Sequence, residues 1–354
     1  NNNREKVGPM LQIMTPASLG KFFSTRDGET KLGQQVQLLG NFEVETDNLK
    51  SSLAEAKSRG AQFVVLGISE DAGPRANLGR GGSTTAFSAA MSQFLNLQSN
   101  RYLHGKECIV LGNIEPMQLD ESATTEQLRQ ATADLDEQVI AVVAQILAAE
   151  LEPIVIGGGH NNAYGLLMAV KSQYNQAAAA VNLDPHSDFR PREGRHSGNG
   201  FSYAAANGAL DYYHVLGLHE LKNSEATLEQ LSLFGGHWHS FQQIWVRREI
   251  TLAEALKQIA KQVNQTHLPV ALEIDVDAIA KMPSSASTFA GVPLLDACYY
   301  INYIAKHCNT AYLHIAEAAP QCHEAGEMAG NRDVGQSVSE LIYAYIQAKK
   351  PAQY

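Results

Sequence analysis

The chain has 354 residues, 44% of them hydrophobic and 18% charged, with a formal net charge of −10. That composition suits a packed globular core rather than disorder, and the length allows one large α/β domain or two ordinary ones. The acidic balance argues against a nucleic-acid or anionic-membrane surface, since both call for basic patches. No uncharged apolar stretch reaches the roughly 18 residues a membrane span needs, and the start, Asn1-Asn2-Asn3-Arg4-Glu5-Lys6, lacks an apolar core of signal-peptide length. The four cysteines (Cys108, Cys298, Cys308 and Cys322) form no CxxC pair, so a reducing, cytoplasmic location is expected.

Residues 1–45 resist placement and read as an N-terminal extension of uncertain structure, with 46–354 as one domain. Helical periodicity begins at 47–59, followed by an apolar run at Phe63–Ile68 and another at Ile109–Gly112. A helix over 125–149 opens on Thr124 and Thr125 with Glu126 and Gln127 behind them, the pattern of a capped start. Next come the run Pro153–Ile156, a helix over 162–174, and runs at Val181–Leu183, His214–Gly217 and Gln243–Val246. A helix over 251–265, the run Val270–Ile274, a helix over 294–307, the run Ala311–Ile315 and a helix over 334–348 complete the chain. Most runs are unbroken rather than alternating, as in strands buried on both faces. No repeat or Pro/Gly/Ser-rich linker divides them. The expectation is a single-domain α/β/α protein of three layers around a mostly parallel, about eight-stranded sheet.

In such sheets the site lies beyond the carboxyl ends of the strands, and chemically capable residues cluster there. Asn182-Leu183-Asp184-Pro185-His186-Ser187-Asp188 leaves one run, and Asp184, His186 and Asp188 at spacing two share a face if the backbone stays extended. Glu273-Ile274-Asp275-Val276-Asp277 ends another. Its two aspartates repel each other unless a cation neutralises them, whereas Glu273 lies deeper, either paired within the sheet or supporting a ligand. Ile156-Gly157-Gly158-Gly159-His160 joins a strand to a helix without matching a phosphate-loop or dinucleotide pattern. Alone, His160 could be a ligand or a core histidine; beside the two aspartate-rich strand ends it reads as a ligand. Six candidates (His160, Asp184, His186, Asp188, Asp275 and Asp277) exceed one zinc site. Two divalent cations sharing carboxylates fit better, and carboxylate-rich donors suit Mn²⁺. Such a pair stands roughly 3.5–4 Å apart and activates a bridging water.

These segments resemble the ureohydrolase superfamily of arginase, agmatinase and formimidoylglutamase. Its pattern is a Gly-Gly-Asp-His turn, an Asp-Ala-His-x-Asp strand end and a later Asp-x-Asp. Leu66-Gly67-Ile68-Ser69-Glu70-Asp71, Gly79-Arg80-Gly81-Gly82 and Glu317-Ala318-Ala319-Pro320 extend the likeness across residues 60–348. The resemblance implies an arginase-like fold and two Mn²⁺ per subunit, with His160, Asp184, Asp188 and Asp275 on one ion. Asp184, His186, Asp275 and Asp277 would hold the other, Asp184 and Asp275 bridging. It further implies that His196 shuttles a proton, that Asp277 stabilises the tetrahedral intermediate, and that Glu317 receives the cationic head of the substrate. A homo-oligomer acting on a small molecule is implied as well, with no nucleic-acid or membrane partner.

Asp188-Phe189-Arg190 and His196-Ser197-Gly198-Asn199-Gly200-Phe201 resemble the formimidoylglutamase branch most, implying that Arg190 and Asn199 bind substrate, with Arg192 and Arg75 as further forked donors for carboxylates. The implied reaction converts N-formimino-L-glutamate to L-glutamate and formamide. The alternatives are a urea-releasing arginase, agmatinase or guanidino-acid hydrolase, a deacetylase-like amide hydrolase, and a family member that binds without turnover. Three departures bear on metal affinity and substrate choice, the first two also on the last alternative: Gly159 stands where the pattern has an acidic residue, Pro185 where it has a small one, and Ala278-Ile279-Ala280 lacks a further Asp-Pro.

Overall fold

A computed structural model describes residues 10–39 and 46–350. Nine strands form one sheet: β1 (Leu11–Ile13), β2 (Phe63–Ile68), β3 (Cys108–Ile114), β4 (Glu152–Gly157), β5 (Ala178–Leu183), β6 (Leu210–Leu218), β7 (His237–Ser240), β8 (Val270–Asp275) and β9 (Thr310–Ala316). Their order is β1-β3-β2-β4-β9-β8-β5-β6-β7. Every pairing is parallel except that of β1 with β3. β2, β3, β5 and β8 are buried along their whole length, which accounts for their unbroken apolar sequences.

Helices cover both faces. Ala86–Phe94, Leu252–Gln265, Leu294–His307 and Glu327–Lys349 pack on one side through a core that includes Phe94, Ile259, Tyr300 and Tyr345. On the other side Thr125–Ala148 and Asn162–Tyr174 close over Val139, Leu166 and Tyr213. The long helix starts where its sequence placed it. Thr124 Oγ1 accepts from the Gln127 backbone at 3.1 Å, and Gln127 Oε1 accepts from the Thr124 backbone at 2.9 Å, so two otherwise unsatisfied donors are capped reciprocally.

Two expectations change. Gln243–Val246 is no strand but part of a wide helical turn, Gln242–Val246, in which Ile244 alone is buried. The strand in that region is β7, four residues of mostly polar character. As the sheet's outermost strand it pairs on one side alone, so its sequence escapes the apolar signature of its neighbours. At the other edge, residues 10–39 are not a loose extension. β1 pairs with β3, and Met14, Leu19 and Leu32 are buried in the main core. The remainder of the 1–45 segment, and residues 351–354, lie outside the described residues.

The order places four strands side by side at the centre: β4, β9, β8 and β5. All run parallel, so their carboxyl ends open on the same edge of the sheet. His160, Glu317, Asp275 and Asp184 follow or close these four strands.

Candidate metal centre

β4 ends in a turn of glycines that lets the backbone pass close to neighbouring groups. A Cβ on Gly159 would stand 2.3 Å from Asn161 Oδ1 and 2.4 Å from Pro74 Cδ, so no side chain fits there. The carboxylate that the turn lacks comes instead from Glu70, just beyond β2. Glu70 Oε1 accepts from the Gly159 backbone at 2.8 Å and from the amides of Asn161 and Asn162 at 3.1 and 2.9 Å, while Oε2 accepts from the Gly73 backbone at 3.0 Å. The turn delivers His160 fully buried. Its ring is held from behind by Glu273, whose Oε1 lies 2.9 Å from Nε2, so that Nδ1 faces the aspartates. Glu273 is itself fixed by the Tyr312 hydroxyl on Oε2 at 2.6 Å and by His314 Nδ1 on Oε1 at 2.6 Å. A carboxylate oriented by three donors is what sets the tautomer and angle of a metal-binding imidazole.

Asp184, His186 and Asp188 converge, though not by the extended backbone their spacing suggested. β5 stops at Leu183, the chain bends, and Asp188 takes a left-handed φ of 50°. Asp184 Oδ1 accepts from the His186 backbone at 2.8 Å, closing a tight turn. Pro185 belongs to that turn, its carbonyl accepting from His219 N at 2.9 Å and Asn223 Nδ2 at 2.9 Å. Likewise Asp277 leaves β8 on a turn, its backbone donating to Asp275 Oδ1 at 2.9 Å. Turns rather than strand parity therefore aim these side chains.

His160 Nδ1 lies 2.9 Å from Asp188 Oδ2, 3.1 Å from Asp184 Oδ2 and 3.5 Å from Asp275 Oδ2. His186 Nδ1 lies 3.5 Å from both Asp184 Oδ1 and Asp277 Oδ2. The ligand atoms of His160, Asp184, Asp188 and Asp275 stand mutually within 4.8 Å, as do those of Asp184, His186 and Asp277. Asp184 belongs to both groups; Asp275, expected to bridge as well, falls in the first alone.

This much negative charge is costly in a buried space. Burial and the neighbouring Asp184 push Asp188 well up, and burial with Asp277 and Asp184 does the same to Asp275. For Asp184 burial also pushes upward, but His160 and His186 outweigh it and hold the carboxyl below its ordinary value. Asp277 Oδ1 is buried with no hydrogen-bond partner, and Asp188 Oδ2 has only the His160 ring beside it. Crowded buried carboxylate oxygens facing the ring nitrogens of two imidazoles fit a pair of divalent cations, and the oxygen-rich donor set fits a hard ion such as Mn²⁺.

A cavity of about 420 Å³ opens above this floor, lined among others by His186, Asp277, Glu317, Arg190, Lys222 and Asn223. Glu317 follows β9 with a left-handed φ of 75°. Its Oε1 accepts from the His160 backbone at 2.7 Å. Burial, reinforced by Asp277 and opposed by that hydrogen bond, pushes its carboxyl up to about 8. Arg190 reaches the cavity, with Nη1 on Asn77 Oδ1 at 2.8 Å.

Four expected site residues do not reach the cavity. His196 is buried with both nitrogens engaged, Nδ1 accepting from the Gly198 backbone at 3.0 Å and Nε2 donating to Glu193 Oε1 at 2.9 Å. Burial, only partly opposed by Glu193, pushes His196 down to about 4 and so keeps it neutral. Asn199 is spent on its own loop, accepting from Arg195 Nη1 and the His196 backbone and donating to the carbonyls of Pro191 and Gly194. Arg75 is tied to the carbonyls of Leu119 and Asp120, and Arg192 lines a neighbouring hollow instead. The loop 188–200 is pinned by Arg195, whose guanidinium grips Asp136 in a buried ion pair at 2.8 Å and lies over the rings of Tyr164 and Tyr203.

Glu70, Tyr312, His314 and Lys222 were not singled out from sequence. Glu70 stands just past an apolar run and obeys the strand-end rule; Lys222 and Asn223 lie on a loop with no pattern to mark them.

Comparison with known proteins agrees with this geometry. The model of the arginase family matches residues 61–333. Formimidoylglutamase of Salmonella heidelberg (strain SL476) is 25% identical over 276 residues, covering 76% of this chain and 81% of the relative. The Geobacillus thermodenitrificans formimidoylglutamase is 28% identical over 204 residues, 57% of this chain and 62% of that one. Among solved structures, formimidoylglutamase from Bacillus subtilis superposes with a TM-score of 0.72 at 16% identity, covering 92% of this chain and 93% of its own. A variant of Trypanosoma cruzi formiminoglutamase with Mn²⁺ superposes at 0.65 and 20% identity, covering 84% and 97%. With the family model spanning most of its length, the chain belongs to the arginase family.

Proposed function

We propose that this chain is a manganese-dependent hydrolase that cleaves N-formimino-L-glutamate to L-glutamate and formamide, with two Mn²⁺ per subunit. The observation that carries the reading is the split of charge in the cavity: an acidic floor of Asp277 and Glu317 lies under a rim bearing Arg190 and Lys222. That arrangement suits a substrate with a cationic amidine head and an anionic tail. Agmatine would set its tail ammonium against the two rim cations, and arginine its α-ammonium. The relatives named formimidoylglutamase support the same substrate.

His160, Asp184, Asp188 and Asp275 would hold one ion, and Asp184, His186 and Asp277 the other. Bound there, the pair would supply Lewis acidity and a water of lowered pKa. The chain's own residues do the rest. Glu317 accepts hydrogen bonds from the amidinium, whose positive charge draws the buried carboxyl into its ionised form. Asp277 Oδ1, without a partner of its own, holds the proton that passes from attacking water to the leaving amine. Arg190 and Lys222 fix the two carboxylates. Water adds across the imino carbon, the C–N bond to glutamate breaks, and the amine leaves with the proton. His196 takes no part.

The departures at Gly159 and Pro185 motivated a non-catalytic reading. Glu70 braces the first turn and the Pro185 carbonyl joins the second, which supports an intact centre. A guanidino acid shares the cationic head and one carboxylate, so it is the second reading. The four cysteines are free, which supports a cytoplasmic location, and no helix among the described residues is long and apolar enough to cross a membrane. A homo-oligomer is proposed on family membership. The test is product identity from Mn²⁺-loaded protein given formiminoglutamate, arginine, agmatine and 4-guanidinobutyrate. Formamide from the first alone is expected. Urea from a guanidino compound with no formamide would overturn the substrate, and unchanged turnover after chelation would overturn the metal.

A further inference from the structure

The wall of the catalytic cavity holds a polar side chain that the metal centre does not use. Asn77 follows the short helix Ala72–Ala76 and lines the cavity with Gly79, Arg190 and Gly198. Its Oδ1 accepts from Arg190 Nη1 at 2.8 Å, a bond between residues 113 positions apart. A guanidinium only donates, so this contact fixes which way the amide points. Oδ1 is turned to Arg190, and Nδ2 is left with no hydrogen bond among the described residues. A Cβ on Gly198 would stand 3.0 Å from both Asn77 Nδ2 and Arg190 Cδ. The glycine therefore leaves the space in which the amide and the arginine lie side by side. Resting on the reading that Arg190 binds a substrate carboxylate, we propose that Asn77 determines specificity. Its Nδ2 donates to that same carboxylate and so selects an acidic tail against a cationic one.

The local backbone gives no other reason for an asparagine here. Asparagine is favoured where φ is left-handed, but Asn77 has a φ of −95° and the left-handed value, 64°, falls on Leu78. Nor does the side chain cap the helix. The Asn77 backbone N–H does that, meeting the carbonyls of Gly73 and Pro74 at 3.2 and 3.1 Å, while the side chain reaches across to another loop. The position is half-buried on the cavity wall, where the amide meets whatever enters. With its acceptor occupied, the amide presents donors alone, which a carboxylate accepts and an ammonium cannot. Arg190 by itself discriminates less, because its Nη2 also donates to Glu193 Oε1 at 3.3 Å and part of its charge is already answered. An uncharged donor beside it adds a contact to the carboxylate without bringing a second charge into the wall.

The test measures the affinity of the full Mn²⁺-loaded protein for L-glutamate and for agmatine by calorimetry, beside KM for formiminoglutamate. Asn77→Ala should weaken glutamate binding and raise KM about tenfold, the loss of one hydrogen bond to a charged acceptor. Made on top of Arg190→Ala, the same change should still cost about fivefold. Asn77→Asp keeps an acceptor for Arg190 but exchanges the free donor for a carboxylate oxygen. Glutamate affinity should then fall about a hundredfold while agmatine affinity rises. Manganese content and Tm should match the parent's in each variant. A residue that merely props Arg190 would behave otherwise: its loss would cost nothing once Arg190 is gone, and Asn77→Asp would bind glutamate at least as well as Asn77→Ala. Either result would overturn the proposal, as would a wild type that prefers agmatine to glutamate. Should Asn77→Ala fail to fold, Asn77→Asp, which retains the Arg190 contact, carries the test. A wild type that binds glutamate but releases no formamide would strike the substrate reading and leave these affinities to decide Asn77.

Discussion

The floor and the rim of the catalytic cavity are built differently. The floor rests on four adjacent parallel strands whose ends are set by the sheet, and its candidate ligands, all buried but the half-buried His186, are cross-braced by Glu70, Glu273 and short backbone turns. The rim comes from two loops, 188–200 and 219–224, where Arg190 is half exposed and Lys222 exposed. On the proposed function, a braced floor would fix the reaction type and an exposed rim would select the tail of the substrate. Changes in the floor should therefore remove metal and turnover together, while changes in the rim should alter substrate affinity and leave metal bound.

The largest effect should come from Asp184→Asn, because Asp184 belongs to both ligand groups. Losing the metal's charge stabilisation, several kcal/mol, corresponds to a fall of about 10³-fold or more in turnover. Metal analysis should show the loss of both ions. Normal manganese content with normal kcat would break the idea of a shared ligand.

Glu273→Gln is the next step down. The amide would present an N–H where Tyr312, His314 and His160 already point donors. Manganese affinity, read by calorimetry, should weaken about 10–100-fold, the usual cost of disturbing a ligand's supporting hydrogen bond. Unaltered affinity would show that His160 holds its orientation unaided.

On the rim, Arg190→Ala should remove a charged hydrogen bond to a substrate carboxylate, about 1.5–3 kcal/mol, or roughly 10–100-fold in kcat/KM. The change should lie in KM at full manganese occupancy. Lys222→Ala, at an exposed position, should raise KM only a few-fold, an effect that fades in high salt. If either variant loses metal, floor and rim are not separable.

The same divide explains what could be read in advance. Strands buried on both faces announce themselves as apolar runs, and the residues just after Ile156, Leu183 and Ile274 fall into place because a parallel sheet sends its strand ends to one edge. The means of convergence was not legible: Asp188 and Asp277 arrive through turns, not through strand parity. Nor could Gly159 be explained alone, since its reason is the crowding by Asn161 and Pro74, residues brought there by other elements. β7 was misplaced onto Gln243–Val246 because an edge strand carries no apolar code. In the loops a histidine near a Ser-Gly motif looked like a proton carrier, yet a loop's direction is set by long-range partners such as the Asp136–Arg195 pair.

His196 gives the smallest expected effect and the sharpest check on that divide. Its Nδ1 and Nε2 are both occupied within the loop, and it lies outside the cavity lining among the described residues. His196→Gln should keep kcat within about twofold, because a general acid contributes roughly 10²–10⁴-fold only where it reaches the reacting atom. Stability should fall by about 1–2 kcal/mol for the lost hydrogen bonds, visible as a lower Tm. A hundredfold drop in kcat at unchanged KM and full manganese content would mean that the loop turns His196 inward during turnover. The rim would then supply chemistry as well as affinity, and the separation from the floor would fail at that residue.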